Sequence, residues 1–519
     1  MYDCLIKNAV VIDSTGAPAR KADIALLGGK IARVEQQIED NCPVIDATGL
    51  TVTPGFIDSH SHSDAVILTA PDQLEKIEQG ITLSVGGQCG ATAAPMDKDP
   101  AADMLGDIPG FGKKAEVLKT MGTLLDVARD VPQGASLATY VGHRALRRAA
   151  MNFDNRKPTD SEMQVMKDLL VEAMAHGAMG VSFGLIYAPS CYAQTDELIE
   201  LAKVAAAHGG MVSAHIRNER DQVIEATAEF IEILRQSGAR GVLSHHKAAG
   251  KENWGKVNKT LQMIDEAIAE GIDIYLDVYP YTASSTKLSA TLVPKEWHTR
   301  GTAGLVDCLS DEASRRQIRA ADFKRLGEDL SWILISKCTA YPQYEGKRMD
   351  EIAALHGKDV YDTAFDLIRD SSDACTACFF TMCEEDVKTV LAHPRAMICT
   401  DSSVAGKAAS YHPRLRGTFP RVLGRYVREM QVTTLEEMIR KMTSLPAMVY
   451  DLKGKGVIAE GYDADLCIFD AQTIIDRADY AACHLHAEGL RYVLVDGEIV
   501  VENAVFNGKR RGKVLLRGC

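Results

Sequence analysis

The chain contains no run of 18 apolar residues, which excludes a transmembrane helix. Met1-Tyr-Asp-Cys-Leu-Ile-Lys7 brings charge in at once with no long apolar stretch, so no signal peptide is expected. No basic block offsets the net charge of -13, which argues against a nucleic-acid partner. Lys509-Arg510-Arg511 is the nearest candidate, and it reads as solvated tail. Thirteen cysteines, odd in number and scattered over 519 residues, do not make a secreted disulfide framework. A reducing cytoplasm is the expected location, with no membrane partner. Cys375-x-x-Cys378, with Cys383 nearby, lacks the second pair or histidine that a metal knuckle needs, and reads as buried or half-buried thiols. No nucleophile elbow appears, so a serine hydrolase is unsupported. Gly454-Lys-Gly456 lacks the strand–loop–helix setting of a phosphate cradle. Internal repeats and low-complexity segments are absent.

What is present is an ordinary globular composition, 46% hydrophobic and 25% charged, long enough for a barrel plus a second domain. Residues 1–54 alternate short β-type runs with turns, and Gly28-Gly29 marks a hairpin. From 55 to 452 a strand-like run followed by an amphipathic stretch recurs many times, with helices expected at 196–208, 220–237 and 256–270. That order predicts an α/β fold, a parallel sheet closed into a (β/α)8 TIM-like barrel, with an open doubly wound sheet as the alternative. Residues 453–519 return to short strands around an Asp496-Gly497 turn. The two β-rich ends are expected to pack together as one small β-sandwich. Residues 288–350 break the barrel rhythm and hold Trp297 and Trp332; they are expected to form an inserted lid.

The polar residues of interest fall where strands end. The run Thr51-Val-Thr-Pro-Gly-Phe-Ile-Asp58 leads into His60-Ser61-His62, and period-2 alternation puts both imidazoles on one face. Cys89 follows a second apolar run, and His215, His245 and Asp401 close three later ones. Thiolate, imidazole and carboxylate from separate strands are how a barrel assembles a zinc cage at its mouth. His246 should point to the other side of its strand, and His143 reads as loop structure.

The motifs Pro54-Gly-Phe-Ile-Asp-Ser-His-Ser-His62, Gly87-Gln-Cys-Gly90, Gly184-Leu-Ile-Tyr187, His215-Ile-Arg-Asn-Glu219, Ser244-His-His-Lys247, Asp277-Val-Tyr-Pro-Tyr281, Thr400-Asp401 and His412-Pro-Arg414 run nearly end to end. In combination they resemble the amidohydrolase superfamily, and within it the N-acyl-D-amino-acid deacylases (D-aminoacylases). The resemblance implies zinc-dependent hydrolysis of a linear amide in a small N-acylated amino acid. It implies a tight zinc site at Cys89, His215 and His245, with Cys89 where many relatives have a carboxylated lysine. His60, His62 and Asp401 would outline a second, weaker or empty position. Asp401 would be general base and acid, Tyr187 would hold the scissile carbonyl, and Lys247, Tyr279, Ser285 and Arg414 would bind the α-carboxylate. Loop residue Arg414 has Arg416 and Arg421 as substitutes, and Tyr281 rivals Tyr279. Ser402 stands where the family usually has glycine, and Gln88 where it often has asparagine. A cyclic-amide or imide hydrolase is the alternative enzyme, and an inactive binding or scaffold protein the alternative outside catalysis. Lys295, Arg300 or the tryptophans would meet the substrate side chain. Oligomeric state is left open.

Overall fold

A computed structural model of the protein describes residues 1–96, 118–403 and 412–517. Eight short strands run parallel, buried along almost their whole length because a filled interior lies on one face and helices on the other. They are β1 (Phe56–Asp58), β2 (Ile81–Gly86), β3 (Ser136–Thr139, resumed at Val141–Gly142) and β4 (Gly180–Gly184). β5 (Met211–His215), β6 (Arg240–Leu243), β7 (Ile274–Val278) and β8 (Ala396–Ile398) complete the set. Each pairs with the next in order. The ring closes where the chain beyond β1 meets the chain beyond β8. Ser59 N–H donates to Ile398 O at 3.3 Å, Asp401 N–H to His60 O at 2.9 Å, and His62 N–H to Ser402 O at 3.1 Å. The barrel is therefore closed, and the open sheet is excluded. The three helices expected on its outside run Thr195–Ala207, Val223–Ser237 and Lys256–Ala269.

Strands from both chain ends form one nine-stranded sheet beside the barrel. Leu466–Phe469 joins the two halves by pairing antiparallel with Thr51–Pro54. Both expected hairpins are present, Arg20–Leu27 with Lys30–Glu35 and Leu490–Val495 with Glu498–Glu502. The last described residues depart from the expected division. Leu137 N–H donates to Lys513 O and Leu515 N–H to Leu137 O, so the tail returns to β3 of the barrel instead of staying with the sheet. The basic cluster near it is engaged locally: Arg510 pairs with Asp72 at 2.6 Å, and Lys509 and Arg511 with Glu498.

The break in the barrel rhythm is longer than 288–350. It runs from Ser284 to Phe379, with an antiparallel sheet of Ser284–Lys287, Thr376–Phe379 and Ile333–Lys337 and its own apolar core around Leu305, Ile335, Phe365 and Ile368. The far boundary was concealed because the helix Val360–Asp370 followed by a buried strand imitates one more barrel unit.

The sheet and the barrel meet at Gly55-Phe56. A Cβ at Gly55 would collide with the Thr82 side chain, so only glycine lets the sheet strand run on into β1. Phe56, 1% exposed, stacks on Phe419 with ring centroids 5.5 Å apart and tilts against Phe469 at 6.2 Å. Phe56→Ala is expected to cost about 3–5 kcal/mol of unfolding free energy, the range for a large buried aromatic. Denaturant melts of the two proteins would measure it, and a loss below about 1 kcal/mol would deny Phe56 this role.

Candidate metal centre

Five barrel strands deliver a ligand-type side chain to the same end. His60 and His62 lie just past β1, Cys89 past β2, His215 ends β5, His245 lies past β6 and Asp401 past β8. Cys89 sits in the middle: its Sγ is 3.3 Å from His60 Nε2, 3.3 Å from His245 Nε2 and 3.7 Å from His215 Nδ1. Asp401 Oδ1 lies 3.5 Å from His60 Nε2 and 3.2 Å from His62 Nε2. Donor atoms of His60, Cys89, His245 and Asp401 all fall within 4.8 Å of one another, and so do those of His215, Glu219 and His245. The expected division into a Cys89–His215–His245 group and a His60–His62–Asp401 group is thus not sharp in space, because Cys89 touches histidines of both.

The electrostatics are those of a ligand set. Burial alone would raise the Cys89 thiol, but the His60 and His245 charges beside it hold it well below its ordinary value. It is therefore poised as thiolate, the form that ligates. Burial also works against ionised Asp401, yet the Arg414 and His245 charges hold its carboxyl well below the usual range. His60 Nδ1 is buried without a hydrogen bond, 3.4 Å from Asp277 Oδ2. A thiolate, several imidazoles and a carboxylate within a few ångströms, out of water, fit zinc by donor type and by crowding.

Three carboxylates and a lysine that sequence reasoning left without a role belong to this centre. Asp277, at the end of β7, accepts the His245 N–H at 2.6 Å. Glu219 faces His215, His245 and Lys247. Lys76, 0% exposed, donates to Asp58 at 2.9 Å and to the Ser402 carbonyl and hydroxyl, while Asp58 accepts Thr400 N–H at 2.8 Å. That network clamps the residues on both sides of Asp401, and Ser402 adds a hydroxyl to it. The His215-x-x-x-Glu219 spacing and the Asp277 motif were visible; nothing local marks Lys76.

The residues expected on the substrate side, Tyr187, Lys247, Tyr279, Ser285 and Arg414, line one cavity of about 1220 Å³ above the cluster, roofed in part by the 284–379 insert. Tyr187 Oη is 3.0 Å from Thr286 Oγ1, and burial pushes its pKa up, which keeps the hydroxyl protonated. Lys247 Nζ pairs with Glu219 and lies 2.7 Å from His245 Nδ1. Tyr279 differs from expectation: its hydroxyl points at Met382 Sδ, 3.7 Å away, while Lys247 and Arg414 lie over its ring at 5.6 and 5.0 Å. Ser285 offers its carbonyl to Arg414 at 3.3 Å. Arg414 is not a loop residue; it opens the helix Arg414–Arg421 and donates to Asp401 Oδ2 at 2.7 Å. Its proposed substitutes lie elsewhere, Arg416 on Glu78 and Arg421 on Asp476, with Tyr281 under Arg421. Lys295 and Trp332 line the cavity, whereas Arg300 pairs with Asp307 and Trp297 packs on the insert core.

Other expectations sort cleanly. His246 turns away to Thr260 Oγ1 at 2.7 Å. His143 is no ligand, but it starts the helix His143–Met151, buried between Ser190 at 3.0 Å and Glu197 at 2.9 Å. The letters G-x-S-x-G do occur, at Gly180-Val-Ser-Phe-Gly184, without the setting of a nucleophile elbow. Ser182 lies fully buried inside β4 with its hydroxyl bonded to backbone, so no elbow exists there. Cys375 and Cys378 are buried and join no metal-type cluster among the described residues.

Residues 43–501 match the sequence profile of the Amidohydrolase family. The chain is 35% identical to a D-aminoacylase from Alcaligenes xylosoxydans xylosoxydans over 99% of its own length and 98% of the relative's. It is 37% identical to an N-acyl-D-glutamate deacylase of the same organism, covering 99% and 96%. Among solved structures, the N-acyl-D-glutamate deacylase from Bordetella bronchiseptica, complexed with zinc and a phosphonate mimic of the tetrahedral intermediate, superposes with a TM-score of 0.84 at 35% identity, covering both chains fully. A D-aminoacylase described for the role of its binuclear metal centre superposes at 0.86, again at 35% and full coverage. An L-hydantoinase from Arthrobacter aurescens, 15% identical with a TM-score of 0.57 and full coverage, shares the fold alone.

Cys89→Ala removes the atom that touches histidines of both groups. Stoichiometric zinc is expected in the parent protein and its loss in the variant, read by elemental analysis after extensive dialysis. Zinc retained at parent stoichiometry would take Cys89 out of the ligand set.

Proposed function

The chain belongs to the amidohydrolase family, and on that premise we propose that it hydrolyses N-acyl-D-amino acids to a carboxylate and a free D-amino acid, using zinc held by Cys89, His60, His62, His215, His245 and Asp401. The observation that carries the reading is one cavity with a thiolate–imidazole–carboxylate cluster at its base and two buried cations, Lys247 and Arg414, beside it. The cluster supplies the place for the amide, and the cations supply the place for the carboxylate of an amino acid. Cys89, rather than a lysine, lies between the histidines, which favours a linear substrate over a cyclic amide.

When bound in this cage, zinc activates water near neutral pH and polarises the amide oxygen. The remaining work belongs to side chains. Asp401, ionised and next to the cluster, takes the water's proton and returns it to the nitrogen that must leave as an amine. Tyr187, kept protonated by burial, donates a hydrogen bond to the carbonyl oxygen as charge grows there. Arg414, which also holds Asp401 and the Ser285 carbonyl, hydrogen-bonds the α-carboxylate and Lys247 adds a point charge. Ser285 sits beside them, and the Tyr279 ring seats both cations. We assign the tighter metal position to Cys89, His215 and His245, and the weaker to His60, His62 and Asp401. A reducing compartment suits a chain whose described cysteines are all free thiols.

The test is release of amine from a panel of N-acetyl-D-amino acids against their L enantiomers, with zinc measured on the same preparation. Turnover confined to the D series is the expected result. Zinc without turnover of either series would sink the deacylase reading and send the search to cyclic amides. Asp401→Asn should keep zinc at Cys89 while turnover falls about 10²–10⁴-fold, the usual weight of a general acid–base group. Near-normal turnover in that variant would remove Asp401 from proton transfer.

A further inference from the structure

His215 and His245 use opposite ring nitrogens toward Cys89. His215 turns Nδ1 to the sulfur at 3.7 Å, and His245 turns Nε2 at 3.3 Å. The rings stand nearly perpendicular, with centroids 4.4 Å apart. Their outer nitrogens converge on one carboxylate. His215 Nε2, otherwise unpartnered and buried, faces Glu219 Oε2 at 3.4 Å, and His245 Nδ1 faces Glu219 Oε1 at 3.0 Å. A neutral imidazole presents a lone pair on one nitrogen only when the other carries the proton. For both rings to ligate, His215 must be protonated at Nε2 and His245 at Nδ1. No single ring preference produces that pair of tautomers; an acceptor touching both outer edges does.

We propose that Glu219 is a positioning residue of the tight metal site, whose two oxygens hold His215 and His245 in opposite tautomers and present their inner nitrogens together with Cys89. Glu219 is itself fixed. Its carbonyl accepts the Ala249 N–H at 2.7 Å, and Asn218 Oδ1 pins the chain just after it through the Arg220 N–H at 2.6 Å. Glu219 Oε1 also takes Lys247, whose Nζ lies 2.7 Å from His245 Nδ1. An ammonium only donates, so Lys247 competes for the Nδ1 lone pair, and the Nδ1–H tautomer requires both groups to donate to the shared Oε1. One carboxylate therefore sets two metal ligands and the cation assigned to the substrate carboxylate. The inference rests on the metal reading given above.

Glu219→Gln keeps size and shape but replaces one acceptor by a donor, so it can satisfy one imidazole and must oppose the other. Zinc affinity of the full-length protein, measured by competition with a chelator of known affinity, is expected to fall about 10–100-fold, the weight of a carboxylate behind a metal-bound histidine. Glu219→Asp, which keeps both acceptors, should recover part of that loss. Melting of the metal-free proteins is read in parallel. Parent-like affinity in Glu219→Gln would overturn the inference. So would a loss of affinity matched by an equal loss of metal-free stability and not recovered by aspartate, since that is what a merely structural contact would do. A parent protein that takes up no zinc would overturn the metal reading itself, and this inference with it, before any variant is compared.

Discussion

The mouth of this barrel gathers ionisable groups out of reach of water, and the surrounding structure answers that one constraint. A buried charge without a partner costs several kcal/mol, and removing one member of a buried pair typically costs about 3–5 kcal/mol. Each charged group near the cluster accordingly has an opposite beside it. Arg414 stands on Asp401, Lys247 on Glu219, Lys76 on Asp58, and Asp277 next to His60. Burial and Lys247 would lower the His245 pKa, yet Asp401, Cys89 and Glu219 raise it to about 9. A site built this way has its charges paired and placed without any ligand, which is the condition for electrostatic preorganisation.

How much of this was legible in the chain depends on whether a residue's role is local. His60 and His62 announce themselves because an apolar run ends in His-x-His. Cys89, His215, His245 and Asp401 are visible because each closes a β-type run, and barrels place chemistry at strand ends. Glu219 and Asp277 stood inside recognised motifs, yet nothing in their own spacing said which ring they would face. Lys76 lies in a four-residue helical turn, Leu74–Ile77, and acquires its meaning only when β1 and β8 close the ring over it. The misplacement of Arg414 in a loop has a similar cause: Pro413-Arg414 reads as a turn, whereas proline just before or within the first turn also suits a helix start. The far edge of the insert was hidden because helix-then-strand is the barrel's own rhythm.

The insert also explains why the reaction is easier to read than the substrate's side chain. Barrel strands fix the cluster, whereas much of the cavity wall above it comes from elements between Ser284 and Phe379, with a separate apolar core. Lys295 and Trp332 bring a cation and an aromatic surface to that wall. Their positions follow from how the insert packs, not from any periodicity in the chain. The ligand-type cluster and that part of the cavity wall thus rest on separate apolar cores, the insert entering the barrel between β7 and β8.

Three of the cluster residues, Cys89, His245 and Asp401, have positive φ of 53°, 35° and 46°. L-residues other than glycine avoid that region, and each instance costs of the order of 1–3 kcal/mol. Aspartate tolerates it better than a thiol or an imidazole. Glycine would relieve the strain but would remove the ligand atom. The hydrogen bonds that hold the bends are visible: His245 N–H on Asp277, Asp401 N–H on the His60 carbonyl, and the Gly90 amide on Ser182. The bend at Asp401 is in addition tied to the closure of the barrel, since Asp401 and His60 bond across the seam between β8 and β1.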